Sequence, residues 1–409
     1  MIRRKLDHAL IATSVFLLIV LSSGTLELFK DGGARDQGVV NRVEYHGVLN
    51  YLTAAWCVIT VAAIFLHLLK SGRINISRAR VPLIIAGYAA ISCLWTANIV
   101  ASLKAVLLLF LGTAAVSIYS TQRTSAELIR FLVYCLTPLV VGSLVIIWLA
   151  PAYGVSIGTH EGSWQGMFDH KNGLGSYSAI SLCIFLGWRR AGGPLWAYIP
   201  AGGSLILSIG SQSFTSAAAS VLIVAVHSLT ALRVTRSAVR RSLPILIVAL
   251  AAVPIVVTAI PVFGGGFEIA GKGALFSGRG YIWSYLLEGI ASNPLFGNGF
   301  NAYKNTVYSG DEDGALMASI GFLPGSAHNG FLEATHSMGV IGLVLALTLV
   351  IAPVYMARRS EYFMVAVYTC LCAIVINIFD TRLIAFDTLN FVVIYISCLA
   401  SRQTSDLYP

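Results

Sequence analysis

An all-helical integral membrane protein with about 12 transmembrane helices is the fold class that this sequence predicts, and three observations predict it. Of its 409 residues, 57% are hydrophobic and only 11% are charged, with a mean hydropathy of +0.79. A soluble chain carries about 25% charged residues, so this one cannot cover a water-facing surface. Apolar runs of about 20 residues, long enough to cross the hydrocarbon core as helices, recur along the whole chain. The runs are continuous and lack the alternation in segments of about 10 residues that marks a membrane barrel. Backbone groups in lipid must then be satisfied within each helix.

The first span, 9–29, follows the basic start "MIRRKLDH". That start resembles a signal peptide, but the apolar run continues to about Phe29 without a small-residue cleavage site, so it reads as a retained helix. Four more spans follow at 48–69, 81–97, 102–119 and 128–150. The middle of the chain supplies 173–188, 194–210, 214–232 and 243–262, and the last three spans are 337–356, 362–379 and 385–400. All seven cysteines lie in apolar runs and none has metal-ligand spacing.

Twelve spans put both termini on one side of the membrane. The loops on that side hold 18 of the 27 Lys and Arg residues and four of the 18 acidic ones, a net +14 against −5 for the remainder. Basic loops stay in the cytoplasm, so both termini are expected there. The overall charge of +9 is thus an orientation signal, with attraction to anionic lipid headgroups as a second effect, and no nucleic-acid partner is expected.

The same assignment makes 263–336 an external loop of about 74 residues, between spans 9 and 10. Within it "RGYIWSYLLEGIAS" puts Tyr281, Ile282, Leu286 and Ile290 on one helical face with Trp283 beside them, the pattern of an amphipathic helix at the interface. A second external loop, 151–172, contains "GTHEGSWQGMFDHKNGLG". No tandem repeat or separate soluble domain interrupts the chain, so residues 1–409 read as a single polytopic membrane domain.

Polar residues are scarce, so those that share a side matter. His328, Asn329, Arg279, His170, Lys171 and Asn172 all fall on the external side. Lys104 sits inside a span, about a turn from its external end; such a cation either snorkels to headgroups or serves function. Asn329 either caps the coming helix or orients a ligand. The acidic run 311–313 reads as a solvated loop, and no P-loop or dinucleotide fingerprint is present. No metal and no cofactor are expected.

Five motifs carry a family resemblance. "HNGFLEATHSMGVIG" reads His-Asn, nine residues, Gly, two residues, Gly, and "SGRGYIWSYLLEGIASNPLFGNGFNAY" reads Arg, an aromatic helix, then Pro-Leu-Phe-Gly-x-Gly. "MFDHKNGLGSY" supplies a His-Lys-Asn element, "LSIGSQSFTSAAAS" a Ser-x-Ser stretch, and "NIFDTRL" a late element. In this order they resemble the O-antigen ligase and Wzy-type polymerase superfamily of bacterial envelope glycosyltransferases, with the His-Lys-Asn element closest to its exopolysaccharide-polymerase branch.

The resemblance implies a glycosyltransferase of the GT-C type in the bacterial inner membrane, with an active site facing the periplasm and loop 263–336 carrying part of it. It implies a donor glycan on undecaprenyl diphosphate. The acceptor it implies is a sugar hydroxyl, either on a lipid-linked glycan, for a polymerase of O-antigen or exopolysaccharide, or on lipid A-core, for a ligase. A flippase of lipid-linked glycans is the rival from another class, but the paired repeats and broken spans of transporters are not evident. Arg279 suits the diphosphate by its planar fork, and His328 suits the removal of a proton from the acceptor hydroxyl. His170, Lys171, Asn172, Asn329 and Lys104 are candidate substrate-binding residues. Many members carry Arg after the Ser-x-Ser, where this chain has Phe214; Lys171 and Lys104 are the cations that could replace it.

The charge asymmetry makes a direct prediction about topology. Tags at Asp311 and at the C-terminus are expected to report opposite sides of the membrane in sealed vesicles, and labelling of both from one side would refute the assignment.

Overall fold

The structure, a computed structural model, describes residues 2–22, 46–71, 80–157, 160–168, 170–231, 279–303, 326–358, 360–381 and 383. The described elements are helical, without a strand among them: α1 Ile2–Ser22, α2 His46–Ser71, α3 Arg80–Ser92, α4 Ile99–Thr121, α5 Ser125–Leu149, α6 Pro151–Gly154, α7 Lys171–Arg190, α8 Tyr198–Gly210, α9 Phe214–Ala231, α10 Arg279–Ser292, α11 Gly330–Met356 and α12 Phe363–Phe379. Five of these stretches, Tyr51–Ser71, Ile99–Thr121, Ser125–Leu149, Phe214–Ala231 and Gly330–Met356, are long and apolar enough to cross a membrane. The expected spans at 243–262 and 385–400 lie outside the described residues.

At α4 and α5 the helix starts three residues before the apolar run because a polar cap precedes it. Asn98 accepts the Ala101 N–H at 3.1 Å and starts α4 at Ile99. Thr124 and Glu127 form a reciprocal capping box that starts α5 at Ser125. On the outer faces Val58, Leu69, Trp148 and Ile199 are exposed by 69%, 69%, 73% and 76%. Lipid is the solvent that such a surface tolerates.

At the centre stands α7, with every residue from Gly173 to Trp188 buried. It packs against α5, α8, α9 and α12. Its sequence is the least apolar of the long helices and rich in Gly, Ser and Ala. Small residues let neighbouring backbones approach closely inside a membrane bundle: a Cβ on Gly187 would come within 2.9 Å of the Val365 Cα. The helix ends in Arg189 and Arg190, and Arg190 donates to the His227 carbonyl and to Thr230 Oγ1. His227 in turn meets Tyr368 at 3.2 Å and Tyr198 at 3.4 Å, so a polar cluster ties α7, α8, α9 and α12 at that end.

Helix α11 is broken at Gly339, where φ is 64° and ψ is −165°. The turn 294–299 fills the break. Val340 N–H donates to the Pro294 carbonyl at 2.9 Å, and Asn298 N–H donates to the His336 carbonyl at 2.9 Å. Gly297, with φ 72°, lies against the Gly339 amide, where any Cβ would collide. The turn is also pinned to α3 and α4: Trp95 Nε1 donates to the Gly297 carbonyl at 3.1 Å, Ser92 Oγ accepts the Phe300 N–H at 3.0 Å, and Ser102 Oγ donates to the Phe300 carbonyl at 2.6 Å. The spacing of two sequence motifs thus has a common cause. Pro-Leu-Phe-Gly-x-Gly is the plug, and the Gly after nine residues of the His-Asn motif is the socket. The apolar run read as starting at 337 begins near this break, and the helix reaches seven residues further back, to Gly330.

The amphipathic helix expected around Ile282 and Leu286 is α10. Its apolar face meets protein rather than lipid alone: Ile282, Trp283 and Leu286 form a buried cluster with Tyr303, Ala327 and Leu332. The start of α11 supplies an apolar surface that the sequence pattern cannot reveal.

Gly339→Ala is expected to destabilise the protein by about 2 kcal/mol or more, because the new Cβ combines a positive φ with overlap of the Leu295 carbonyl oxygen. Gly202→Ala in α8, where nothing lies within 4 Å of the added Cβ, is expected to be neutral or slightly stabilising. Thermal unfolding in detergent compares the two, and equal midpoints would refute the plugged break.

Candidate active site

The first turn of α7 carries the His-Lys-Asn element. His170 caps the helix, its Nδ1 accepting the Asn172 N–H at 3.0 Å. An accepting Nδ1 leaves the ring proton on Nε2. The His170 ring meets the His160 ring edge-on at 5.5 Å. Residues four apart share a helical face, which gives this short stretch two working faces. Asn172 lies one turn before Ser176, whose hydroxyl donates to Asp380 Oδ2 at 3.3 Å. Lys171 lies one turn before Gly175, where an added Cβ would meet the Ser211 and Ser216 hydroxyls at 2.7 and 2.8 Å. Those serines belong to the Ser-x-Ser stretch that opens α9, in which Ser211 Oγ accepts the Ser213 N–H at 3.3 Å and Ser213 Oγ meets Ser216 Oγ at 3.1 Å. Gly175, one turn after Lys171, thus packs against the Ser-x-Ser stretch. Phe214, at that position, is 75% exposed.

The start of α11 carries the His-Asn pair. Asn329 is fully buried and caps the helix, its Oδ1 accepting from the Phe331 and Leu332 amides at 3.1 and 2.9 Å. His328 is half-buried and has φ 51°. A non-glycine residue in that region costs on the order of 1 kcal/mol or more, so a turn chosen for structure alone would favour Gly here. Gly330 N–H then donates to the Asp380 carbonyl at 3.0 Å, and Gly330 lies against Asn377 so closely that a Cβ would not fit.

Asp380 closes the arrangement. It follows α12 and is 7% exposed, with Oδ1 accepting the Thr381 N–H at 2.8 Å and Oδ2 accepting from Ser176. Arg279 is the first residue of α10 and half-buried. Burial pushes its guanidinium pKa below the ordinary value, and the nearby Asp380 carboxylate opposes that shift. The group stays charged at any physiological pH. Helix α10 is held in place by Trp283, four residues on, whose Nε1 donates to the Ala327 carbonyl at 3.0 Å and whose ring stacks on Phe379 at 6.3 Å. One side chain thus joins the helix of Arg279 to the residue before His328 and the residue before Asp380.

The structure therefore brings Arg279, His328, Asn329 and the first turn of α7 to one end of the bundle. Lys104 is not brought there. It is exposed on α4, near enough to Cys57 of α2 for their charges to interact. Asp380 and Thr381 lie in the "NIFDTRL" motif and Ser176 in "MFDHKNGLGSY", but sequence reasoning gave none of the three a role in the site. A carboxylate ending the apolar run "IVINIFD" was the available signal, since charge at the end of a membrane helix is costly to place.

No curated protein matches the chain. Residues 199–347, which run from α8 into α11 and include both Arg279 and His328, match the family model described as O-antigen ligase, so this part of the chain is similar to the family that the motifs resemble.

Proposed function

We propose that the protein is a GT-C-type glycosyltransferase of the bacterial inner membrane, with 12 spans and both termini in the cytoplasm. It moves an oligosaccharide from undecaprenyl diphosphate to a sugar hydroxyl on the periplasmic side. The observation that carries the reading is the linkage of Arg279, Asp380 and the His328–Asn329 pair at the one end of the bundle where α7 and α9 also begin.

The chemistry asks for two things. As the bond between the sugar's anomeric carbon and the diphosphate oxygen breaks, negative charge grows on the diphosphate. Fixed cations in a poorly hydrated site stabilise that charge. Arg279 offers a planar fork, the amides of the first turn of α10 add to the attraction, and Lys171 supplies the second cation that Phe214 cannot. The acceptor hydroxyl is a weak nucleophile, and a neutral imidazole takes its proton as the new carbon–oxygen bond forms. His328 holds that role. The leaving group is the lipid diphosphate, which departs with the bonding electron pair, so no metal or cofactor is called for.

Chain extension of O-antigen or exopolysaccharide repeat units is the first reading, supported by the His-Lys-Asn element in the first turn of α7. Purified protein given only lipid-linked repeat units should then produce a ladder of longer glycans. Product that forms only after lipid A-core is added would instead identify a ligase, and no glycosidic bond in either case would leave a flippase.

Arg279→Ala is expected to cost more activity than Arg279→Lys, since Lys keeps the charge and loses the fork, and Lys171→Ala is expected to weaken donor use. Steady-state kinetics with lipid-linked donor measures both; unchanged donor use in both alanine variants would remove this site. His328→Gly suits the backbone φ of 51° and is expected to fold at least as stably as wild type. It should still bind donor and lose transfer by about 10²–10⁴-fold. Wild-type turnover in this variant would refute the base assignment.

A further inference from the structure

The two ends of the Asn329 amide have different fates. Its Oδ1 caps α11, while its Nδ2 is buried with no hydrogen-bond partner among the described residues. A buried amide donor left unused is costly, and Ser or Asp would cap as well without it. Capping alone therefore does not explain asparagine at this position. A second such group lies nearby: Thr381 Oγ1 is also buried without a partner among the described residues. The two residues are fastened together, because the 3.0 Å bond from Gly330 N–H to the Asp380 carbonyl joins the residue after Asn329 to the residue before Thr381. His328 and Thr381 are themselves only half-buried, so the two groups lie close to the surface.

We propose that Asn329 and Thr381 form the subsite that holds the acceptor, taking a hydroxyl oxygen of the incoming sugar beside His328. This rests on the glycosyl-transfer reading above. Charge selects the ligand. The Asp380 carboxylate sits within one residue of Thr381 and would repel a phosphate oxygen. A neutral hydroxyl meets no such penalty. It accepts from the Asn329 Nδ2–H and exchanges a hydrogen bond with the Thr381 hydroxyl, which both donates and accepts. Arg279 and Lys171 are then left for the diphosphate, so donor and acceptor are read by different side chains at one end of the bundle. The residue next to Asn329 is the base, which places the deprotonating group one position from the group that orients the hydroxyl.

The test uses full-length protein in nanodiscs and two substitutions that keep local structure. Asn329→Asp retains the cap and loses the donor; Thr381→Val retains the shape and loses the hydroxyl, with Thr381→Ser as its rescue. Two probes are titrated separately: undecaprenyl diphosphate, and the glycan freed by mild acid from lipid-linked material of cells lacking this gene. Each substitution should weaken glycan binding and raise the acceptor KM by about tenfold, with diphosphate binding unchanged and with Thr381→Ser close to wild type; the Thr381 variants should keep the wild-type melting temperature, while Asn329→Asp, which adds a buried carboxylate near Asp380, should lower it. If Asn329→Asp does not fold, the Thr381 pair decides alone. Wild-type acceptor KM in the variants, or loss of diphosphate binding in place of glycan binding, would overturn the subsite while leaving wild-type transfer intact. A wild-type protein that neither binds the glycan nor forms glycosidic bonds would overturn the glycosyl-transfer reading itself.

Discussion

The hydrogen bond from Val340 N–H to the Pro294 carbonyl is the contact on which the arrangement at this end of the protein depends. A continuous helix would have donated that amide to the His336 carbonyl, four residues back, which here accepts from Asn298 N–H instead. The break at Gly339 frees it, and the turn 294–299 takes it up, so no backbone donor is stranded in a buried place. The exchange fixes two helices at once. Helix α10 ends two residues before the turn, and the first segment of α11 ends at the break. Arg279 and His328, at the far ends of these two segments, are thereby held relative to each other by backbone geometry. The plug is anchored from outside by Tyr88, whose hydroxyl lies 3.3 Å from the carbonyls of both Phe296 and Met338.

A second constraint comes from the solvent. Lipid gives helices no hydrophobic reason to associate, so close packing and interhelical hydrogen bonds must do it. Helix α7 meets that need with small residues along its length and polar anchors at its ends. At one end Arg190, His227, Tyr368 and Tyr198 tie four helices together. At the other, Ser176 reaches Asp380. The second anchor differs in kind, because it ends in a carboxylate near a guanidinium. Burying both charges is expensive unless they compensate one another, and the proximity of Arg279 to Asp380 provides that compensation. The outer helices follow the same rule with less at stake: Ser14 and Thr60 share a 2.6 Å hydrogen bond between α1 and α2, beside Trp56.

On the proposed function, the charge layout at the candidate site divides it by ligand. Arg279 and Lys171 are the cations suited to phosphate, and they approach from α10 and α7. Asp380, Thr381 and Asn329 offer a carboxylate and neutral hydrogen-bonding groups from the ends of α12 and α11. A reaction that releases an anionic leaving group and joins its sugar to a neutral nucleophile would use such a division, because a site uniformly positive would hold the diphosphate and leave the acceptor unoriented.

The sequence by itself determined the solvent, the helical class and the approximate position of each described span, because hydropathy and span length are one-dimensional quantities that lipid enforces directly. It also supplied Arg279, His328 and Asn329 through motif order. Local capping moved helix starts by only a few residues, as at Asn98 and Thr124. What only the tertiary structure decided was who meets whom. The pairing of Pro-Leu-Phe-Gly-x-Gly with Gly339 joins residues some 40 positions apart through backbone shape, and Asp380 reaches Ser176 across 204 residues. Lys104 and Lys171 were both candidate cations in one dimension, yet Lys104 is exposed on the side of α4, while Lys171 opens the central helix α7. Helical phase sets which way each faces, but the neighbour it faces is chosen by packing between distant segments, and no local pattern of residues encodes that choice.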